Sequence, residues 1–384
     1  MPATNDIPLS LYVHIPWCVK KCPYCDFNSH TSEAPIPEQQ YTDRLIEDLT
    51  VDIENYPARP LASIFFGGGT PSLFSPEAIG RIIAAAQQLI GFTNDIEITL
   101  EANPGTTEYT DFSALRQAGV NRLSIGVQSF NGEHLQALGR IHTEDEALSA
   151  YSKARAAGFN NINLDLMHGL PNQTETEALQ DLTTAIALKP EHISWYQLTI
   201  EPNTIFYNSP PALPCEDTLS DIQDQGEALL ATHGYQQYEV SAYAKNNQRA
   251  KHNINYWQFG DYLGIGAGAH GKITHSDGRI ERYRKTRLPA DYLNTNKVKT
   301  VGQSTVTPDR LPLEFMMNAL RLPDGVPTAL FEQRTQLPIT SVLPQLQQLQ
   351  AEGLVSIDDY LRPTALGFRF LNTVLSRFDD TITS

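Results

Sequence analysis

The sequence predicts an α/β chain in which parallel strands and helical crossovers build a barrel that need not close, followed by a smaller C-terminal α+β region of winged-helix character. Two observations predict the barrel. Six short β-rich runs alternate with amphipathic helical stretches over the first half of the 384 residues, and strands joined through helices must lie parallel. The residues able to do chemistry, Gly67–Thr70, Glu101, Gln128 and Asp165, follow those strands. In a parallel barrel the C-terminal strand ends form the active face, whereas a doubly wound sheet gathers ligands at one switch point.

The expected strands are Leu11–His14, Ser63–Phe66, Ile96–Leu100, Arg122–Val127, Asn163–Met167 and Ser194–Leu198. Helices are expected at Glu38–Asn55, Pro76–Leu89, Tyr109–Ala118, Thr143–Ala157 and Glu175–Leu188. Ser75-Pro76-Glu77 supplies an N-cap and then a proline for the first turn, and Gly119 and Gly158 supply left-handed C-terminal caps. A helix near Glu216–His233 and a run at Tyr238–Ala242 lead to a Gly- and aromatic-rich stretch from His252 to Gly271. This divides the chain into a core over residues 1–235, the Gly/aromatic segment over 236–305 and a C-terminal unit over 306–384. The last unit has the helix–helix–hairpin order of a winged helix. Its would-be recognition helix, Ser341–Glu352, carries no Lys or Arg, so it suits packing or partner docking rather than DNA.

A net charge of −16 and a pI near 5.0 disfavour nucleic-acid binding, whose footprint is a basic surface. Met1 to Ser10 has neither a basic patch nor an apolar run, and no window approaches the roughly 18 apolar residues of a spanning helix. The expected compartment is the cytoplasm.

Three of the four cysteines fall in Cys18-Val-Lys-Lys-Cys22-Pro-Tyr-Cys25, on a loop that leaves the first strand through Pro16. A disulfide framework would be spread out and paired; clustering points to metal in a reducing compartment. A fully ligated iron–sulfur cubane uses four thiolates, so three on one loop leave one iron open to an exogenous ligand. Lys20 and Lys21 offset the cluster's charge, and Trp17, Tyr24 and Phe27 limit water. A zinc site of the same cysteines with His14 or His30 is the competing reading, but structural zinc usually draws on two separated pairs. Cys215 stands apart and reads as incidental.

This spacing, placed after the first strand, resembles the radical S-adenosylmethionine (SAM) superfamily. Tyr12-Val-His-Ile-Pro-Trp-Cys18, Gly67-Gly-Gly-Thr-Pro71, Gly126-Val-Gln128-Ser-Phe130 and Asp165-Leu-Met-His-Gly169-Leu-Pro171 are similar to the oxygen-independent coproporphyrinogen oxidase group, over essentially the whole chain. The resemblance implies a partial (β/α)6 barrel and a [4Fe–4S] cluster on Cys18, Cys22 and Cys25. It further implies a SAM site made of Tyr12, Tyr24, Gly68, Gly69, Thr70, Glu101, Gln128, Arg140 and Asp165; the relatives can hold a second SAM. Glycines after a buried strand let backbone groups approach a ligand closely, and Glu101 suits the ammonium or ribose hydroxyls of SAM. Taken alone, Glu101 or Asp165 would more readily be a helix cap. Gly264–Gly271 reads as a tight turn closing the cavity, with His270 either facing inward or simply buried.

Two departures separate the chain from the oxidase pattern. Phe27 stands where that pattern has a further cysteine, and only seventeen residues precede Cys18. With His252-Asn-Ile-Asn-Tyr256-Trp257, both features are similar to the heme-chaperone branch of the group. That branch implies heme held through His252 and delivered to apo-hemoproteins such as respiratory enzymes, a homodimer, and contact with the inner membrane surface. Imidazole is an apt axial ligand, and aromatic faces bury a macrocycle at about 25 cal/mol per Å². From the residues alone, a core aromatic cluster with a capping histidine fits equally well. Arg279, Arg282, Arg284, Lys285 and Arg287 could pair with heme propionates or acidic headgroups, or form a solvated strand face. The enzymatic alternative is oxygen-independent decarboxylation of coproporphyrinogen.

Overall fold

Leu9, Leu11, Val13 and Ile15 are fully buried on one face of the first strand, β1 (Leu9–Ile15), while Ser10, Tyr12 and His14 occupy the other. The computed structural model, which describes residues 6–31, 35–57, 59–106 and 110–379, carries this alternation through five more strands. These are β2 (Leu61–Gly68), β3 (Phe92–Ala102), β4 (Arg122–Gln128), β5 (Ile162–His168) and β6 (His192–Gln197). Phe66, Leu100, Ile125, Leu164 and Trp195 join β1's leucines in one apolar core beneath the helices.

The helices between the strands are α1 (Glu38–Asn55), α2 (Pro76–Leu89), α3 (Phe112–Gln117), α4 (Gly132–Ala137), α5 (Glu144–Ala156) and α6 (Glu175–Leu188). Three of them, α1, α2 and α6, have the expected bounds. Ser75 Oγ accepts from Ala78 N at 3.2 Å, so the predicted cap forms. Gly119 and Gly158 adopt φ of +114° and +87°, as the turns after α3 and α5 require. The helix expected from Tyr109 starts at Phe112, capped by Asp111; Tyr109 itself lies outside the described residues.

After α7 (Glu216–Thr232) the chain adds β7 (Gln236–Glu239) and β8 (Ala242–Ala244), then α8 (Lys251–Trp257). It continues with β9 (Asp261–Ile265), β10 (His270–Thr274), β11 (Ile280–Lys285) and β12 (Thr300–Thr305). All twelve strands form one sheet, in the order β12-β11-β10-β9-β1-β2-β3-β4-β5-β6-β8-β7. β9 and β1 to β6 pair in parallel, while both flanks are antiparallel. The sheet order is open, the architecture of a partial barrel. Residues 236–305 thus extend the sheet begun by β1, and only residues 266–269 of the expected Gly264–Gly271 turn connect β9 to β10, the rest lying in those strands. His270 opens β10 exposed, so it is not a buried structural histidine.

The basic run over 279–287 is not one solvated face. Lys285 is fully buried against Asp48 (2.8 Å) and Asp52 (2.7 Å) of α1. Arg282 Nε donates to Glu314 at 2.9 Å and Arg279 Nη1 to Glu281 at 3.1 Å. Arg284 and Arg287 remain exposed and without an ion pair among the described residues.

The C-terminal unit orders α9 (Leu311–Ala319), β13 (Val326–Pro327), α10 (Ala329–Thr335), α11 (Leu343–Ala351), β14 (Val355–Ile357) and β15 (Tyr360–Pro363) as a winged helix does. Its core takes in Phe259 and Ile280 from the sheet region, and α11 uses Leu346 and Leu349 for packing. Among the described residues no helix is long and apolar enough to cross a membrane.

The Lys285 cluster ties the β9–β12 flank to the first barrel helix. Burial, opposed by Lys285, pushes the Asp52 carboxyl up to about 6. Lys285→Met leaves two buried carboxylates unpaired and should cost about 3–5 kcal/mol at pH 7.5. The loss should shrink at pH 5, where Asp52 takes up a proton; urea midpoints at both pH values check this.

Candidate functional site

Pro16 ends β1, and the loop behind it returns so that Trp17–Cys18 pairs with His30–Thr31, fixing both ends of the cysteine segment. The glycine loop after β2 pins it from the side: Gly69 N donates to Ile15 O (2.7 Å) and Thr70 N to Trp17 O (2.8 Å). A Cβ on Gly69 would lie 2.4 Å from Trp17 O, and one on Gly68, at φ +114°, 2.5 Å from His14 Cε1. Glycine is required at position 69 by contact with backbone and at position 68 by dihedral as well as contact.

The strand ends open here onto a cavity of about 440 Å³. Cys18, Cys22 and Cys25 line one wall, half-buried. Arg140 Nη1 reaches Cys22 Sγ at 3.7 Å, and Ser29 Oγ lies 3.8 Å from Cys25 Sγ. Burial pushes the Cys18 and Cys25 thiols up, partly offset by hydrogen bonds from Thr70 and Ser29 to Cys18 and, at Cys25, from Phe27 N, Ser29 and the Lys21 charge. Coordination to a metal draws such protons off. Among the described residues no three Cys, His, Asp or Glu side chains converge on a point where one ion would sit. Three thiols on one wall are the donor set that an iron–sulfur cluster takes.

Glu101, at the end of β3, accepts from Gly68 N at 3.2 Å. Burial first, and then the Asp165 charge, push its carboxyl up to about 8. Asp165 sits within β5, accepting from Ser124 Oγ (2.8 Å) and Asn163 Nδ2 (2.7 Å), and burial raises its pKa as well. Neither carboxylate caps a helix. Gln128 ends β4 at φ +71°, beside a register shift in the β4–β5 pairing, and its Oε1 accepts from Tyr196 OH at 2.8 Å. Backbone held in that region is stored strain of the kind found at ligand sites. Arg140 Nη2 donates to Gly126 O at 2.6 Å.

Of the expected SAM residues, Tyr24, Gly68, Gly69, Thr70, Glu101, Gln128, Arg140 and Asp165 share this cavity with the three cysteines. Tyr12 does not. It lines a second cavity, of about 770 Å³, that shares Asp26, Phe27, Gly68 and Glu101 with the first. His252 lines neither cavity. It starts α8 at the N-terminal end of the strands, buried, donating from Nδ1 to Glu97 Oε1 at 2.7 Å and packed on Phe65 at 4.4 Å between ring centroids. Burial opposes ionisation of Glu97, yet the bonds from His252 hold its carboxyl down at about 2. Ser124 and Tyr196 also line the first cavity and were missed by motif reading. They lie in phase with Gly126 and Asp165 on neighbouring strands, a signal that strand alternation carries.

Residues 12–185 match the Radical SAM superfamily and residues 306–370 the HemN C-terminal domain. Over 376 residues the chain is 52% identical to heme chaperone HemW of Haemophilus influenzae, covering 97% of this chain and 98% of that one. Over 372 residues it is 50% identical to heme chaperone HemW of Escherichia coli, with the same coverage. The solved structure of coproporphyrinogen III oxidase (HemN) from Escherichia coli, a radical SAM enzyme, superposes with a TM-score of 0.80 at 25% identity, spanning 98% of this chain and 91% of that one.

Because the Gly69 contact is with backbone, Gly69→Ala must displace the cysteine loop. It should cost about 1–3 kcal/mol of overpacking and sharply reduce iron uptake on anaerobic reconstitution. Thermal unfolding and iron analysis read the two effects.

Proposed function

The chain belongs to the HemW family within the radical SAM superfamily, and on that premise we propose that it is a heme chaperone that binds heme, a [4Fe–4S] cluster and SAM and passes heme to apo-hemoproteins. Cys18, Cys22 and Cys25 hold the cluster. When bound, it supplies an iron with an open position for SAM. Tyr24, Gly68, Gly69, Thr70, Gln128, Arg140 and Asp165 shape the SAM site around Glu101, whose carboxylate takes the ammonium end; Tyr12 borders it from the second cavity. The protein works in the cytoplasm as a homodimer and meets respiratory clients at the inner membrane surface.

The observation that carries the heme assignment is the His252–Glu97 pair. Glu97 fixes Nδ1 of the imidazole as the donor, and Nε2 has no hydrogen-bond partner among the described residues. Burial, opposed by Glu97, lowers the imidazole pKa, which keeps the ring neutral with a lone pair on Nε2. A carboxylate behind a histidine is how proteins orient and strengthen a metal-binding imidazole. The Phe65 ring, which lines the second cavity, packs on the face of this imidazole.

Heme titration tests the assignment. His252→Ala should lose the wild-type Soret band, and Glu97→Gln should weaken binding about 10–100-fold, with circular dichroism confirming that both fold. An unchanged band in His252→Ala would remove the ligand. The oxidase alternative is tested by anaerobic incubation with coproporphyrinogen and SAM, and no protoporphyrinogen should form.

Below about pH 8 Glu101 carries a proton that a cationic ligand must expel. SAM affinity of the cluster-loaded protein should therefore rise about tenfold per unit as pH climbs toward 8 and level off above it. Equilibrium dialysis from pH 6.5 to 9 checks the profile, and Glu101→Gln should flatten it.

A further inference from the structure

We propose that the second cavity seats the macrocycle and that Arg284 and Arg287 clamp its carboxylates. This rests on the heme-carrier reading and gives that ligand a place. Three observations carry it.

The first is charge. The chain has 44 acidic and 28 basic residues, so a cation without a carboxylate partner needs a reason. Around this cavity Lys272 is tied to Asp261, Lys285 to Asp48 and Asp52, and Arg282 to Glu314. Arg284 and Arg287 line the same cavity, exposed, with no ion pair among the described residues. Guanidinium forks match carboxylates in two-point geometry, which makes them suited to a ligand bearing two such groups.

The second is polarity along the cavity. Its own carboxylates, Asp26 and Glu101, lie on the seam shared with the first cavity, whereas Arg284 and Arg287 belong to the second alone. A ligand with an acidic edge is therefore drawn in with that edge turned from the Asp26–Glu101 seam. His270 stands beside these arginines; burial and then the charges of Arg284, Arg282 and Arg287 disfavour its protonation, so it adds a neutral donor and not a further cation.

The third is the apolar wall. Tyr12, Phe65, Tyr256, Trp257 and Tyr262 supply ring faces, and Phe27 stands 59% exposed at the seam. At about 770 Å³ the space falls in the range of about 300–1,000 Å³ typical of organic ligands. A flat aromatic dicarboxylate satisfies wall and rim together. A membrane surface would call for many projecting cations, and here there are two, bordering a hollow.

Iron-free protoporphyrin IX is the probe, since it has the carboxylates but no metal for histidine to bind. Fluorescence titration should give affinities weakened about tenfold in each of Arg284→Gln and Arg287→Gln, and further in the double variant, with near-wild-type binding restored in part by Arg284→Lys. Protoporphyrin dimethyl ester should bind wild type weakly and ignore the substitutions. If the double variant binds protoporphyrin like wild type while wild type still binds heme, the clamp is wrong and the carrier reading stands. If wild type binds neither, both fall. If the substitutions weaken only binding to phosphatidylglycerol vesicles, the arginines form a membrane contact and the proposal is overturned.

Discussion

Two peptide hydrogen bonds hold the functional face together: Gly69 N to Ile15 O and Thr70 N to Trp17 O. They bring the loop after β2 against the loop after β1 at a separation that no side chain could share, since a Cβ on Gly69 would meet Trp17 O at 2.4 Å. The cysteine segment leaves the sheet through a proline, and this contact, with the pairing of Trp17–Cys18 to His30–Thr31, sets where its thiols stand relative to the carboxylates across the cavity. β1 itself cannot shift, because it is paired on both sides, by β2 and β9.

A second consequence of the architecture is the polarity of the barrel interior. Parallel strands covered on both faces usually read as continuous apolar runs. Here every strand alternates, and the inward phase includes Ser10, Ser63, Glu97, Asn163, Asp165 and His192. Near the N-terminal strand ends these groups satisfy one another, as in His192 Nδ1 with Asn163 Oδ1 (2.6 Å) and Asn255 Nδ2 with Ser10 Oγ (2.8 Å). α8 closes that end, so the HNxxYW segment is also a structural plug: its Asn255 reaches β1 and its Lys251 N reaches Glu97 at 2.9 Å. At the other end inward groups such as Glu101, Gln128 and Asp165 line the first cavity.

The two cavities are physically joined. Gly68, Glu101, Asp26 and Phe27 belong to both, and Asn28, on the cysteine loop, donates to Ala267 O (2.9 Å) and Arg287 O (2.8 Å) on the far wall. A displacement of the cysteine loop must therefore be felt at the rim of the second cavity. That gives a material basis for linking occupancy of one to the other in the proposed carrier, without a separate moving part.

The sequence by itself determined the α/β class, the bounds of α1, α2 and α6, and the cysteine segment on the first cavity's wall. These follow from local physics: helix periodicity, a serine cap before Pro76, and cysteines whose spacing already implies a shared loop; the SAM-site residues across from them came from the family resemblance. Tertiary structure alone decided the rest. Strands β9 to β12 were illegible because short, Gly-broken runs gain their pairing only from β1. Tyr12 looked like a neighbour of the cysteine site, yet strand phase turned it toward a second cavity, and the Glu97 hydrogen bond holds His252, the expected heme ligand, buried outside both cavities. The basic run over 279–287 divided because α1 offered buried carboxylates to Lys285 alone, leaving two arginines at a cavity rim, a distinction that exists only once the helix and the strand have been packed together.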